Sequence, residues 1–235
     1  MPMKRIALTV ILAGLAACEP AFNDKVDVQT LLWSDTTEGL PSAQLYVHRE
    51  KNPEAVVLLS CSSAAVQNQW QDTAVRMAVQ GYLVVAAVLP SEGGMKERAV
   101  SALQQVIIRL RREHPHLKLG VVSDAAGAMT CLQVVVQDSA VSGTALLTPG
   151  KEIAGLDSLW LDSWQGRPLL LLSAGEQTPQ DSDPLSAWYA RLPEPKKTVW
   201  LATRQSGADL LYTDREPIIR RTLVLFFDRH LRGKE

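Results

Sequence analysis

Two kinds of hydrophobic pattern alternate along the chain: short runs that are apolar at every position, and longer stretches in which apolar residues recur at helical spacing. The short kind, seen at 55–59 and 82–89, is bounded by turn residues and is typical of strands buried on both faces. The long kind is clearest at 96–112, where arginines gather in the last turns, and predicts an amphipathic helix. The same reasoning predicts further strands at 28–33, 43–48, 119–123, 143–147, 168–172 and 198–202, and further helices at 68–80, 129–135, 184–190 and 217–231.

Strands that alternate with helices predict an α/β fold, in which right-handed crossovers build a mainly parallel sheet with helices on both faces. The first two predicted strands, 28–33 and 43–48, are joined through turn-rich residues and are expected to form an antiparallel hairpin. The whole of 28–235 is long enough for one such domain with a large core. We therefore expect a single three-layer sandwich with an antiparallel N-terminal hairpin.

The first residues carry the features of an export signal. Two basic residues precede the apolar run 6–14, which is too short to span a membrane. Small residues then lead to Cys18, an arrangement that resembles the lipobox of bacterial lipoproteins. The resemblance implies a signal peptide at 1–17, cleavage before Cys18, acylation of its sulfur and new amino group, and an acylated tether at 18–27. The alternative is an ordinary signal peptide in which the cysteine stands by chance.

An acylated Cys18 would hold the protein on a membrane. Glu19, in place of the aspartate that marks inner-membrane retention in many enteric bacteria, favours the outer membrane, facing the periplasm. The composition is that of an ordinary globular domain, and no basic stripe interleaved with aromatic residues is present, which argues against a nucleic-acid partner. In an oxidising compartment Cys61 and Cys131 form either a disulfide or two buried thiols.

The most informative local pattern lies where the strand at 119–123 breaks into small residues and a helix begins. Strand, tight turn and helix in this order resemble the nucleophile elbow of the α/β-hydrolases, whose small-x-Ser-x-small pattern presents a serine at the top of a sheet. Ser123 and Gly127 fill the two small positions, so Ala125 takes the place of the serine. Asp124 is interpreted as a residue that accepts hydrogen bonds from the free amides at the start of the helix.

Two more segments extend the resemblance to the α/β-hydrolase superfamily, and within it to dienelactone-hydrolase-like proteins, over the whole mature chain. The stretch 81–87 is similar to the family's glycine and aromatic residue that lead into a strand, and 207–211 is similar to the end of its last catalytic loop. The resemblance implies that Ser206, just before that loop's glycine, stands at the histidine position. It places the acid position at Glu176 or Gln177.

By this resemblance the site departs from the family at several positions. Ester hydrolysis on this scaffold needs a nucleophile, an imidazole, a carboxylate and backbone donors for the oxyanion. Ala125 offers no lone pair, Ser206 is a weak base, and Ser60-Cys61 replaces the His-Gly of the oxyanion loop. We therefore predict a degenerate triad and no enzymatic activity. The predicted vestigial pocket consists of Ser60, Cys61, Asp124, Ala125 and Ala126.

Substitutes for the missing groups are hard to find in the sequence. Cys61 and Ser62 could act as nucleophiles, but no base is evident beside either. The four histidines fall away from the carboxyl ends of the predicted parallel strands, where such folds place their sites. They are His48, His114, His116 and His230. The His-Pro-His at 114–116 has no third ligand nearby, so neither a metal nor a cofactor is predicted.

The predicted function is that of a binding or scaffold component of a periplasmic or envelope assembly, held to the membrane by its lipid anchor and in contact with a protein partner. The segment 151–167 is the candidate cap over the pocket. It carries Trp160 and Trp164, a candidate interface, although burial of both rings is the commoner outcome. Two alternatives stay open: an esterase with a rearranged site built from Cys61 and Glu176, and a carrier of a small apolar ligand.

Overall fold

An eight-stranded sheet forms the centre of the described part of the protein. The computed structural model describes residues 24–31, 42–90, 96–156, 163–164, 166–175 and 184–234. The strands are β1 (Val26–Leu31), β2 (Ala43–His48), β3 (Ala55–Cys61), β4 (Tyr82–Val88), β5 (Leu119–Ser123), β6 (Val141–Leu147), β7 (Leu169–Gly175) and β8 (Lys196–Ala202). The helices are α1 (Ala64–Gln69), α2 (Gln71–Val79), α3 (Lys96–Glu113), α4 (Ala128–Gln137), α5 (Pro184–Arg191) and α6 (Glu216–Phe227). Tighter 3₁₀ turns lie at Lys151–Gly155 and Gly207–Tyr212, and a π turn lies at Asp228–Arg232.

The strand order across the sheet is β1-β2-β4-β3-β5-β6-β7-β8. From β4 to β8 neighbouring strands run parallel, whereas β1 pairs antiparallel with β2 and β2 pairs antiparallel with β4. Every residue of β3 is buried, because helices cover both faces of the sheet at its centre. The predicted α/β class, the mainly parallel sheet and the antiparallel N-terminal pair are confirmed.

Each face of the sheet packs against its own apolar layer. One layer lies under α1, α2 and α6 and contains Leu59, Cys61 and Phe227. The other lies under α3, α4 and α5 and contains Leu58 and Cys131. Consecutive residues of one strand enter different layers because side chains alternate across a strand. The sheet thus separates the two cysteines, and both are free, buried thiols rather than a disulfide.

The segment after β3 differs from the single helix predicted at 68–80. The structure has two helices, and the first already begins at Ala64. The early start follows from Ser63, whose hydroxyl oxygen accepts a hydrogen bond from the Val66 backbone amide at 3.2 Å. Trp70, whose side chain is buried, separates α1 from α2. Apolar periodicity placed the start too late because the residue that caps the helix is polar and lies outside the periodic pattern.

The two ends of the described chain also depart from the predicted boundaries. β1 begins at Val26, inside the predicted tether, and pairs there with His48. α6 ends at Phe227, and the chain continues as a π turn instead of the α-helix predicted to residue 231. The predicted signal peptide and Cys18 lie outside the described ranges. Among the helices within those ranges, none combines the length and the apolar character needed to cross a bilayer.

Gly120→Ala is expected to destabilise the protein by about 2–3 kcal/mol, because the new methyl group overpacks a closed core. A Cβ at residue 120 would lie 2.5 Å from the nearest ring carbon of Phe227 and 2.9 Å from Leu231 Cδ1, and both of those side chains are buried. Gly143→Ala on the neighbouring strand is the matched control, since its nearest atom, on Phe226, is 3.5 Å away. Urea denaturation of both variants measures the difference. Equal losses of stability would contradict the packing argument.

Candidate active site

The candidate site lies at the carboxyl ends of β3 and β5, which are adjacent parallel strands. Ser60 is paired in register with Ser123, so the residues that follow each strand leave the sheet side by side. These residues are Ser62, after β3, and the turn 124–127, which leads into α4. In open α/β sheets this end of the strands is where ligands bind.

A hydroxyl and a carboxylate meet at this position. Ser62 Oγ donates a hydrogen bond to Asp124 Oδ2 at 2.8 Å, and the Gly127 backbone amide donates one to Asp124 Oδ1 at 3.1 Å. Only 3% of Asp124 is exposed. Burial raises the pKa of its carboxyl, although the hydrogen bonds from Ser62 and from backbone amides act in the opposite direction. Asp124 is therefore a stronger proton acceptor than an ordinary exposed aspartate, and it is already bonded to a half-buried hydroxyl.

The pairing of Ser62 with Asp124 was missed by sequence reasoning, which found no base beside Ser62. The two residues are 62 positions apart and share no motif. One signal could have indicated it: Asp124 directly follows the predicted strand 119–123, Ser62 comes shortly after the predicted strand 55–59, and neighbouring parallel strands end at the same edge of a sheet. That signal needs the strand order, because only adjacency of β3 and β5 brings the two side chains within hydrogen-bonding distance.

The turn at 124–127 joins β5 directly to α4, as the elbow pattern predicts. Gly127 has to be small, because a Cβ there would lie 2.5 Å from Ser123 Oγ. The backbone at Ala125 is nevertheless ordinary: within the described ranges Thr148, with φ of 47°, is the one non-glycine residue at positive φ. The turn thus lacks the strained torsions with which a nucleophile elbow presents its serine.

The loop that holds the predicted histidine position returns to Ala125. Gly207 has φ of +59°, and a Cβ on it would lie 3.7 Å from Ala125 Cβ. Its backbone amide donates a hydrogen bond to Thr148 Oγ1, which fixes the loop against the end of β6. Ser206 precedes this contact and is exposed. The structure therefore places Gly207, the residue after the predicted histidine position, beside Ala125. Outside the described ranges lie the predicted acid positions, Glu176 and Gln177.

The predicted vestigial pocket is only partly open. Ala126 is exposed and Ala125 is half-buried, whereas the side chain of Ser60 is buried, with no hydrogen-bond partner for its Oγ among the described residues. Cys61 points into the apolar layer under α1, α2 and α6, has no exposed surface, and donates from Sγ to the Leu59 carbonyl at 3.6 Å. Burial raises the pKa of this thiol far above its usual range. The structure thus contradicts the alternative in which Cys61 is the nucleophile.

Of the two tryptophans predicted as a candidate interface, Trp164 is buried and is not available to a partner. Trp164 has no exposed surface, its indole Nε1 donates to the Arg167 carbonyl at 2.8 Å, and the Arg167 guanidinium lies 5.4 Å from its ring centre. The ring is core, because the apolar layer under α3, α4 and α5 encloses it. The predicted cap segment 151–167 is described at Lys151–Gly155 and near its end, while Trp160 lies outside the described ranges.

The four histidines all lie away from this site. His48 is buried at the end of β2, where its Nδ1 accepts from the Glu50 amide at 3.0 Å, and His114 and His116 precede β5. His230 packs on Phe226, and burial together with neighbouring cations lowers its pKa. In the parts of the chain that the structure describes, no three His, Cys, Asp or Glu side chains come together as metal ligands.

The likeness to solved structures is clear although the sequence likeness is low. The native structure of a novel cold-adapted esterase from an Arctic intertidal metagenomic library superposes with a TM-score of 0.63 at 15% sequence identity, covering 88% of this chain and 95% of the esterase. No family model matches the chain. No curated protein matches it by sequence. The fold is therefore α/β-hydrolase-like.

This comparison overturns the prediction that the chain is not an enzyme, because a solved structure that shares its fold is an esterase. The prediction rested on the triad positions, on the oxyanion loop and on the finding of no base beside Ser62, and it did not foresee that the Ser62 hydroxyl bonds the buried Asp124 carboxylate. At 15% identity the likeness shows the fold alone, so the reaction has to be argued from the site.

Ala125→Ser is expected to add no ester hydrolysis. The new hydroxyl would stand on a turn without elbow strain, beside a loop that offers Ser206 and no imidazole. Steady-state hydrolysis of short acyl esters by the variant and the parent protein, with mapping of any acylated residue, measures the effect. A gain of about tenfold or more, with acylation at residue 125, would show that the old elbow is intact.

Proposed function

We propose that the protein is an α/β-hydrolase-fold enzyme that cleaves acyl esters, with Ser62 as nucleophile and Asp124 as general base. The observation that carries the proposal is the hydrogen bond from Ser62 Oγ to Asp124 Oδ2 at 2.8 Å, at the carboxyl ends of adjacent parallel strands. A nucleophile and its base within hydrogen-bonding distance are the signature of covalent catalysis, and this edge of the sheet is where such folds bind substrates.

The proposed reaction proceeds in two steps. Ser62 Oγ attacks the acyl carbonyl carbon while Asp124 takes its proton, and the tetrahedral intermediate collapses as the alcohol leaves with that proton. Water then attacks the acyl-Ser62 ester, Asp124 accepts a proton from it, and the acid departs as Ser62 regains its hydrogen. Burial supports this role because a carboxyl with a raised pKa is a better base, so that no imidazole is needed between the two residues.

Degeneration of the usual triad is part of the same proposal. The side chain at residue 125 has no lone pair, and the hydroxyl at residue 206 is a poor base near neutral pH. In this proposal the nucleophile is Ser62, at the end of β3, and not residue 125, at the end of the neighbouring strand β5. Both positions lie at the same edge of the sheet.

A fluorophosphonate probe, which phosphonylates activated serines with release of fluoride, tests the proposal directly. Incubation of the full chain with the probe and mass mapping of the product should place the label on Ser62. Ser62→Ala should lose the label, and Ser206→Ala, which removes an exposed hydroxyl beside the same site, should retain it. A protein that neither takes the probe nor hydrolyses short acyl esters would overturn the proposed reaction.

We also infer that the protein is an outer-membrane lipoprotein facing the periplasm. The support is the sequence alone: a basic start, the apolar run 6–14, small residues before Cys18, and Glu19 after it. Metabolic labelling with a radioactive fatty acid should mark the chain, and Cys18→Ser should abolish the label. A chain that is exported and cleaved without acylation would contradict this inference. An envelope protein partner and a carried apolar ligand stay predictions.

A further inference from the structure

A leucine stands exposed among cations where α6 ends. Leu225 has 53% of its surface exposed and borders two shallow grooves, of about 430 Å³ and 480 Å³. The first groove runs between α2 and α6, and the second lies between the start of β8 and the last turn. We call the patch formed by Lys197, Arg221, Leu225 and Arg229 the Leu225 surface.

The three cations of the Leu225 surface are all exposed and have no carboxylate partner among the described residues. Other charged groups that line the grooves are already engaged. Lys196 Nζ bonds the carbonyls of Tyr189, Ala190 and Leu192, Lys234 pairs with Glu54, and Asp228 pairs with Arg232.

Neighbouring arginines on the first groove are engaged as well: Arg76 pairs with Asp72 and Arg220 pairs with Glu216. Glu194 is the one carboxylate lining the two grooves that has no cation partner in the described residues. Three unpaired cations against one such carboxylate leave the patch positive although the whole chain carries a formal net charge of −1. An exposed aliphatic side chain within a positive rim is the composition of a surface that binds anionic phospholipid.

The described fold begins at the same end of the sheet as this surface, although β1 and β8 form the two opposite edges of the sheet. Val26, the first residue of β1, belongs to the apolar layer that α2 and α6 cover. β1 runs antiparallel to β2, which runs antiparallel to β4, so β1 begins at the same end of the sheet as β8. The preceding residues, 1–23, therefore start from the end that carries Lys197, while the Ser62–Asp124 pair lies at the opposite end.

We propose that the Leu225 surface docks on an anionic phospholipid bilayer, with Leu225 inserted among the acyl chains and Lys197, Arg221 and Arg229 on the headgroup phosphates. This orientation turns the carboxyl ends of β3 and β5 away from the membrane. The proposal is independent of the reaction assigned to Ser62, and it adds a second membrane contact to any anchor that the N-terminal segment provides.

Co-sedimentation of the full chain with two kinds of vesicle tests the proposal: phosphatidylcholine alone, and equal parts of phosphatidylcholine and phosphatidylglycerol. Phosphatidylglycerol should strengthen binding by about tenfold or more, and raised salt should reverse the gain. Two variants should each remove most of the increase in binding that phosphatidylglycerol causes. One is Leu225→Asp, and the other reverses the charges of Lys197, Arg221 and Arg229 together. The contribution of the N-terminal segment is common to all variants and cancels in the comparison.

Ile108→Asp is the matched control, since Ile108 is 54% exposed on α3, which covers the other face of the sheet. It should keep the full gain, and thermal unfolding should show each variant folded. Equal loss of the gain in Ile108→Asp, or a gain that survives both sets of changes, overturns the proposal. So does a concentration-dependent dimer that only Leu225→Asp dissolves, in the absence of any lipid preference, because a second copy would then be the occupant.

Discussion

Ser62→Ala is expected to lower the turnover of short acyl esters by about a thousandfold, because removal of a nucleophile leaves only binding and backbone stabilisation. Asp124→Asn should cause a loss of similar size, since the amide cannot accept the Ser62 proton yet still accepts the hydrogen bond from the Gly127 amide. The double variant should be no worse than either single one, as expected for two groups that act as a unit. Steady-state kinetics of the three variants measures this.

The pH dependence of kcat/KM gives a second readout of the same pair. Asp124 acts as a base only when it is ionised, and burial raises its pKa, so activity should fall on acidification already above the ordinary range of aspartate. Asp124→Asn should lose this acid limb together with the turnover. Ser206→Ala, at the old histidine position, should retain both. Turnover that stays at the parental level in Ser62→Ala would remove this hydroxyl from the mechanism.

Arg232→Met is expected to lower the free energy of unfolding by about 2 kcal/mol, because a largely buried guanidinium loses its charge-assisted hydrogen bonds to Asp228 and to the half-exposed Glu54. The side chain of Arg232 is only 6% exposed and bonds Glu54 at 2.6 Å, Asp228 at 2.8 Å and the Gln80 carbonyl at 3.1 Å. Its guanidinium also lies 4.9 Å from the ring centre of Tyr82. This one side chain thus fastens the C-terminal turn to the beginnings of β3 and β4.

Arg229→Met is the matched control for unfolding, because Arg229 lies on the same turn, is exposed and has no ion-pair partner in the described residues. Its cost should stay within about 0.5 kcal/mol. Urea denaturation near neutral pH separates the two variants. Similar stability of both would show that the C-terminal turn is held by apolar packing alone.

The ion pair between Arg232 and Glu54 should also make the stability of the protein depend on pH in acid. Hydrogen bonds from Arg232 and Lys234 lower the pKa of Glu54 to about 2, from its usual value near 4.5. A carboxyl with a lowered folded-state pKa contributes stability above its unfolded-state pKa, and this contribution disappears as the pH falls from about 4.5 toward 2. The parent protein should therefore lose more stability over this interval than Arg232→Met does. Equal slopes in both proteins would contradict the assignment.

The turn between β5 and α4 shows which features could be predicted from the sequence. The run from 119 to 135 predicted a strand, a small-residue turn and a helix, and β5, the turn and α4 follow in that order. Local pattern suffices there because burial on both faces and steric limits at Gly127 act on neighbouring residues. The break between α1 and α2, which falls at the buried Trp70, was not predicted, since helical spacing of apolar residues indicated one helix at 68–80.

The candidate site shows the opposite case. Ala125 and Ser206 could be placed by resemblance, yet the absence of a nucleophile and an imidazole at those positions led to the wrong conclusion that the chain is not an enzyme. Cys61 was a reasonable nucleophile on sequence alone. Only the packing of helices on both faces of the sheet decides that its side chain is buried, where it cannot reach a substrate.

By itself, the sequence determined the α/β class, the antiparallel N-terminal pair, most element positions and the small residue at the elbow. These features follow from hydrophobic periodicity and steric limits that act between residues close in sequence. Tertiary structure alone decided that Ser62 meets Asp124, that the two cysteines stay apart, and that Trp164 is core while Leu225 is exposed among cations. These features depend on the order of the strands and on the layer that each side chain enters. Both are fixed only when segments distant in sequence pack together in the sheet.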